Sequence, residues 1–267
     1  MEKPDFQHPI VIKGTALFVS DAHLGVSSGV ESLTREKMLV DLLQQQKDNI
    51  QHLFLLGDMF DFWFEYKDVV PKGYFKLFNT LSEMHDNGTE IYYFTGNHDM
   101  WVQDYFTRSF GCKVFYQQQV FDINGKRCVI GHGDGIGGKQ RRYLFIKHVF
   151  AFKPNRVLYS MLHPRHAFAI AKFFSRKSRA SHDESLFTFQ GEQEFQVQYA
   201  RKLLETEPVD YFIYGHRHTP AEYALSENSH FFNIGDWLNH FSYLLFPSDG
   251  GNPFLQYFER RAMSDGR

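Results

Sequence analysis

Cysteine is scarce in this chain: two residues among 267, Cys112 and Cys128, in unrelated contexts and without CxxC spacing. That argues against a disulfide framework and suits small core thiols in a reduced, cytosolic protein. Net charge is scarce as well. The 29 Lys and Arg nearly balance 31 Asp and Glu, leaving −2, so bulk electrostatics give no reason to expect nucleic-acid binding. Long apolar runs are missing: none approaches the roughly 18 residues needed to cross a bilayer. The stretch Met1 to Lys13 is polar and carries Pro4 and Pro9, which does not suit a secretory signal. Repeats and low-complexity tracts are absent too. A soluble or membrane-peripheral protein is expected.

Histidine and phenylalanine are abundant, 14 and 29 residues. Many histidines raise a metal hypothesis; many phenylalanines raise one about an apolar pocket or surface. Position decides between these and a plain Phe-rich core. "TALFVSD" (Thr15–Asp21), "HLFLLGD" (His52–Asp58) and "TEIYYFTGN" (Thr89–Asn97) read as buried strands. Helical spacing over Ser32 to Asp48 and Gly73 to Asp86 separates them. Apolar runs in place of alternation, in a strand–helix–strand rhythm, predict an α/β sheet covered on both faces. Asn124-Gly125 marks a hairpin. From Lys139 to about Ser185 strand signals vanish; apolar residues at helical spacing, Arg and Lys, and breaks at Pro154 and Pro164 predict a helical insertion. A helix over Glu184 to Thr206 then leads into the strand "VDYFIYGHRH". The tail segments "HFFNIGDW", "FSYLLF" and "FLQYFE" suit a second sheet.

Five strand ends carry one kind of residue: Asp21 and His23 in "SDAH", Asp58 in "GDMFD", Asn97, His98 and Asp99 in "GNHD", His132 in "GHGD", and His216 with His218 in "GHRH". Functional residues of open α/β sheets gather beyond the carboxyl ends of strands, so these ends should converge. Imidazoles beside carboxylates are poor packing material and good ligands for first-row metals. Residues i and i+2 of an extended segment share a face, so Asp21/His23 and His216/His218 each point two ligands into one cavity. Gly57, Gly96, Gly131 and Gly215 precede candidate ligands, and glycine tolerates the sharp turn that swings the next side chain inward.

The series D-x-H, GDxxD, GNHD, GH and GHxH, in that order from Leu17 to Trp237, closely resembles the calcineurin-like metallophosphoesterases. The resemblance implies a four-layer α/β/β/α sandwich with a helical cap insertion. It also implies a single domain over 1–267, its insertion at about 139–185. Carried over by position, Asp21, His23, Asp58 and His218 would hold one divalent metal; Asp58, Asn97, His132 and His216 would hold the other, with Asp58 bridging. His98 would donate a hydrogen bond to a phosphate oxygen, and Asp99 would fix its tautomer. Taken alone, His98 reads better as a turn histidine held by Asp99; beside so many candidate ligands the phosphate role is preferred. Two metals about 3.5–4 Å apart lower the pKa of a shared water to roughly 7 and clamp phosphoryl oxygens for in-line attack. No Ser, Cys or Lys nucleophile is required.

Within that superfamily the chain resembles the UDP-2,3-diacylglucosamine diphosphatases of lipid A biosynthesis, through "SDAHLG", "GDMFDFWFEY", "GHGDG", "FFSRKSR" and "GHRHTP". The resemblance implies a cytoplasmic enzyme, peripheral on the inner membrane and manganese-dependent, with iron or zinc also admitted by the ligand types. A metal-bridging hydroxide would attack the α-phosphate of the lipid-linked nucleotide sugar, yielding UMP and 2,3-diacylglucosamine 1-phosphate. Tyr143, Ser178 and Arg179, with Asn97, fall where that family contacts substrate. The insertion mixes Phe, Leu and Ile with Arg and Lys, as an amphipathic surface facing an anionic bilayer or capping an acyl chamber does; packing on the sandwich, with a solvated basic face, is the plainer alternative. Two departures stand out. His98 replaces the arginine of the best-known branch, and "GGKQRR" replaces an acidic residue often found after "GHGD". Rival readings are a phosphomonoesterase or phosphodiesterase of the same fold, and an inactive scaffold that binds a partner. A scaffold should have lost ligands, and all seven positions are filled.

Overall fold

The computed structural model describes residues 3–26, 30–137, 149–150, 152–180 and 188–259. Two six-stranded sheets form the centre. The first sheet takes β2 (Ala16–Val19), β3 (His52–Leu55), β4 (Glu90–Phe94) and β5 (Lys113–Phe115) in parallel, then β11 (Ser242–Phe246) and β12 (Phe254–Tyr257) antiparallel on the β2 side. The second runs β1 (Ile10–Ile12), β6 (Gln119–Ile123), β7 (Lys126–Ile130), β8 (Tyr211–Tyr214), β10 (Ser229–Asn233), β9 (Ala221–Ser226). Here β7, β8 and β10 are parallel neighbours.

Alternation along each strand explains the layers. Ala16, Phe18, Phe54, Leu56, Tyr92 and Phe94 meet Phe121, Ile123, Ile130, Ile213 and Phe232 in a core between the sheets. The intervening Leu17, Val19, Leu53, Leu55, Ile91 and Tyr93 turn outward onto helices α1 (Ser32–Gln46), α2 (Phe75–Asp86) and α3 (Tyr105–Phe110). On the far side Val129, Phe212 and Tyr214 pack against Val197, Ala200 and Leu203 of a later helix (Phe195–Leu204). With both faces covered, the central positions of strands such as β2, β3, β4 and β8 are apolar throughout, hence the unbroken runs in the sequence. Each large side chain so buried stabilises by about 1.5–3 kcal/mol; this rigid centre lets the loops at strand ends hold fixed geometry. Cys112 and Cys128 are buried and free.

Helices α4 (Lys153–Ser160) and α5 (Pro164–Ala180) lie in the segment expected to be helical. Pro154 sits in the first turn of α4 and Pro164 begins α5, where proline's fixed φ is pre-set for a helix and its missing N–H costs nothing. They rest on the site loops through rings: Phe62 on Phe168 (5.3 Å), Phe64 on Tyr159 (4.8 Å) and Trp101 on Tyr159 (4.8 Å); ahead of α4, the Phe150 carbonyl accepts from Trp101 Nε1 at 2.9 Å.

Two expectations need correction. The helix read from Glu184 begins at Phe195 and is α6 (Phe195–Leu204); 181–187 lie outside the described residues. Gly191–Gln193 forms a 3-10 turn, and Glu194 is extended at φ −65, ψ 130, its Oε1 accepting from the Gln190 N–H at 3.1 Å. The tail does not form one second sheet either. β10 does join it, but β11 returns to pair with β2 and carries β12 along.

Candidate metal centre

Six parallel strands end on one side: β2, β3 and β4 of the first sheet, β7, β8 and β10 of the second. The loops beyond them are laced together by backbone bonds. Asp21 N donates to Gly57 O (3.0 Å), His23 N to Asp58 O (2.9 Å), Gly215 N to His132 O (3.0 Å) and Trp237 N to Asp21 O (3.1 Å). The positive φ of the turns belongs mostly to the candidate ligands: Asp21 (53), His23 (41), Asp58 (51), His216 (71) and His218 (58). Left-handed backbone at a non-glycine residue costs about 1–3 kcal/mol and clusters at functional sites. Asp21 and His23 are therefore not a strand pair sharing a face; two left-handed residues re-aim both side chains. Of the four preceding glycines only Gly57 has positive φ. Gly96 and Gly215 are needed for space instead, since a Cβ would overlap Asp58 Oδ1 at the first and Ser20 Oγ at the second.

The predicted residues gather in two groups, Asp21, His23 and His218, and Asp58, His132 and His216, each with ligand atoms within 4.8 Å of one another. His216 and His218 thus serve different groups. Asp58 stands between them, Oδ2 lying 3.3 Å from His132 Nε2 and 3.8 Å from His23 Nε2. Each carboxylate has one oxygen tied down and one left over. Asp21 Oδ2 accepts from Ser20 Oγ (2.6 Å) and His216 N (2.8 Å), while Oδ1 faces His23 at 3.7 Å and His218 at 3.8 Å. Asp58 Oδ1 accepts from His98 N at 2.7 Å.

The imidazoles are held from behind. His132 Nδ1 donates to the Leu56 carbonyl at 2.7 Å, and His218 Nδ1 lies 3.2 Å from Asp236 Oδ2. A carbonyl can only accept, so His132 Nδ1 carries a proton and Nε2 faces the Asp58 carboxylate, where it shares a proton with it or offers a lone pair to a cation between them. Lone pair against lone pair in a buried site is repulsive unless positive charge lies between them. Asp21 Oδ1, both His23 nitrogens, Asn97 Oδ1 and His132 Nε2 are buried with no hydrogen-bond partner. This set of nitrogen and oxygen donors fits divalent first-row cations.

Without a cation, the carboxylates draw protons to the site instead. Burial opposes a charge on His132, yet Asp58, Asp21 and Asp134 push it up to about 10. Burial and the neighbouring His132 push His216 down to about 4. Burial would raise Asp58, but His132, His98 and His23 hold it well below the usual carboxylate range.

Asp99 is not the partner of His98. Its carboxylate accepts from Tyr93 OH (2.6 Å), Gly96 N (2.7 Å) and Met59 N (2.9 Å), bracing the turn; burial and the Asp58 charge raise it to about 6. The His98 ring is held instead by Asp61, Nδ1 meeting its carbonyl oxygen at 2.9 Å with the carboxylate 3.7 Å away. His23, Asp61 and His98 make a third close set, but its last two members already hold each other. Asp236 was also missed, although "IGD" repeats the Gly-Asp signature of "LGD". It braces His218 and accepts from His240 N at 2.9 Å. Tyr143 lies outside the described residues. Ser178 and Arg179 fall in the last turn of α5, their side chains outside the description.

The family model described as calcineurin-like phosphoesterase matches residues 14–220. A curated protein of Porphyromonas gingivalis named UDP-2,3-diacylglucosamine hydrolase is 33% identical, covering 91% of this chain and 97% of that protein. A protein of the same name from Shewanella sp. (strain MR-4) is 26% identical, covering 88% of this chain and 94% of its own length. Among solved structures, Yfce, a phosphoesterase from E. coli, matches with a TM-score of 0.42 and 16% identity, over 88% of this chain and 89% of that one.

Proposed function

The chain belongs to the calcineurin-like phosphoesterase family, and from that premise we propose that it is a metal-dependent hydrolase of UDP-2,3-diacylglucosamine in lipid A biosynthesis. Water would add at the α-phosphorus as the bond to the bridging oxygen breaks, giving UMP and 2,3-diacylglucosamine 1-phosphate. The substrate is supported by the names of relatives that align over about nine-tenths of the chain. The observation that carries the chemistry is the buried Asp21 Oδ1 facing His23, with His132 Nε2 facing Asp58 Oδ2, where Asp21 Oδ1, both His23 nitrogens and His132 Nε2 have no hydrogen-bond partner.

Asp21, His23, Asp58 and His218 would hold one divalent cation; Asp58, Asn97, His132 and His216 would hold the other. Manganese is the first choice, with iron and zinc compatible with the same ligands. Bound there, such a pair supplies Lewis-acid charge and lowers the pKa of water to about 7. The chain's own part follows from geometry. Asp61 fixes the His98 ring through Nδ1, leaving Nε2 to face a phosphoryl or leaving oxygen. To donate there the ring must carry a proton on Nε2 as well as on Nδ1, and the Asp61 carboxylate lies 3.7 Å from Nδ1. The hydrogen bond from His98 N keeps the Asp58 carboxylate in register. Asp99 acts through the turn, as a positioning residue. Tyr143, Ser178 and Arg179 remain the candidates for contact with the diphosphate and sugar.

No helix among the described residues is long and apolar enough to cross a membrane. Helices α4 and α5 and the turn between them nonetheless expose Val157, Leu158, Met161 and Ile170 beside the basic Lys153, Arg156 and Arg165. This face would rest on an anionic membrane surface, placing the enzyme peripherally on the cytoplasmic side of the inner membrane.

One experiment covers both statements: phosphorus NMR in oxygen-18 water, with manganese and UDP-2,3-diacylglucosamine presented in anionic vesicles. The label is expected in UMP. Label in the sugar phosphate would overturn attack at the α-phosphorus. Cleavage of aryl phosphates alone would hand the site to a phosphoesterase of other specificity. The double variant Leu158→Asp/Met161→Asp should lose several-fold in turnover on vesicles and nothing on detergent-dispersed substrate. Equal rates in both formats would remove the membrane role.

A further inference from the structure

Two buried amides stand behind the His132/His216 group with no part in the chemistry above. Gln196 lies in the first turn of α6 and Asn233 ends β10, at 2% and 1% exposure. Every hydrogen-bonding group of both side chains is engaged. Gln196 Nε2 donates to the carbonyls of Gly133 (3.2 Å) and Gly215 (3.0 Å), and its Oε1 accepts from Asn233 Nδ2 at 3.1 Å. Asn233 Nδ2 donates also to Gly215 O at 2.6 Å, while Oδ1 accepts from Gly235 N at 3.1 Å. With all donors and acceptors matched, neither amide can flip without losing bonds, so the network has one geometry.

The carbonyls it grips belong to the residue after His132 and the residue before His216. A Cβ at Gly133 would overlap Gln196 Nε2, so the amide occupies the space a side chain there would need. Gly215 N in turn donates to His132 O at 3.0 Å. The two histidine loops and the amide pair therefore form one bonded unit, which the apolar face of α6 seats against Val129, Phe212 and Tyr214. Leucines at 196 and 233 would fill similar volume but leave both carbonyls buried without a side-chain donor. No comparable tie from Gln196 reaches Asp21 or His23 among the described hydrogen bonds.

We infer that Gln196, oriented by Asn233, is a positioning residue that sets the spacing of His132 and His216 and thereby holds the cation of that half of the centre. The inference rests on the two-cation reading. Loss of a partner that orients a metal ligand weakens metal binding by about 10–100-fold. The test is a titration of the full chain with manganese chloride, followed by electron paramagnetic resonance, for the wild type and for Gln196→Met, which keeps length and removes the hydrogen bonds. The wild type should show the spin-coupled signal of a manganese pair at two equivalents. Gln196→Met should show the six-line signal of isolated manganese at that dose, with coupling restored only at about tenfold more metal. A coupled spectrum at the wild-type dose, even with a lowered Tm, would reduce the amides to structural props and overturn the inference. A wild type that binds no manganese pair would instead overturn the two-cation reading, and the inference with it. Should Gln196→Met not fold, Gln196→Glu puts an oxygen against the two carbonyls at unchanged size and is read the same way.

Discussion

Asp58→Ala should lose bound metal and more than about 100-fold in turnover, beyond the range that removal of a supporting partner alone produces. The reason is position. Asp58 Oδ2 stands between the two groups, 3.3 Å from His132 Nε2 and 3.8 Å from His23 Nε2. Without it His132 loses the carboxylate that most strongly raises its affinity for positive charge. His98 N also loses its acceptor, which leaves a largely buried donor unpaired at a cost of about 1–3 kcal/mol. Asp58→Asn separates the two effects: its carbonyl oxygen keeps the bond to His98 N, but the charge is gone. It should therefore fold with near-native Tm and still lose metal. Elemental analysis of the purified variants, with Tm alongside, checks both, and two retained equivalents of metal in Asp58→Ala would refute the bridging role.

The second large effect separates catalysis from metal binding. His98→Ala should reduce turnover by about 10²–10³-fold, within the range for a positioned proton donor, while metal content stays at the wild-type value. Metal should stay because the tie between position 98 and Asp58 is a backbone N–H, which alanine preserves. Asp61→Ala should show a smaller loss of the same kind, since the carbonyl that orients Nδ1 belongs to the backbone and only the carboxylate is removed. Unchanged turnover in His98→Ala would mean that the imidazole does not act on the phosphate.

Much of this was legible in the chain itself, for a physical reason. Strands buried on both faces are written as unbroken apolar runs, so "HLFLLGD" and "TEIYYFTGN" announce where they stop, and a carboxylate or imidazole at that point has few structural uses. What escaped was fixed by contacts between loops. Asp99 is next to His98 in sequence, yet the fold points it to Tyr93, Gly96 and Met59, and Asp61 arrives from another loop. Asp236 carries the same Gly-Asp signal as Asp58 but sits in a stretch that reads as a strand of the tail. Gln196 lies on an amphipathic helix, where a polar residue reads as solvent-facing; only the approach of Gly133 and Gly215 shows otherwise. The tail strands alternate well enough to be recognised, but alternation says nothing about which sheet a strand joins, and β11 chose β2. Glycine's part was half right: Gly57 turns the chain, whereas Gly96 and Gly215 make room and the ligands themselves take the left-handed backbone.

The most direct test of the dinuclear centre is anomalous diffraction at the manganese edge from crystals grown with manganese. Two peaks are expected about 3.5–4 Å apart, one against Asp21, His23 and His218, the other against Asn97, His132 and His216, with Asp58 touching both. A single peak, or peaks away from these side chains, would contradict it.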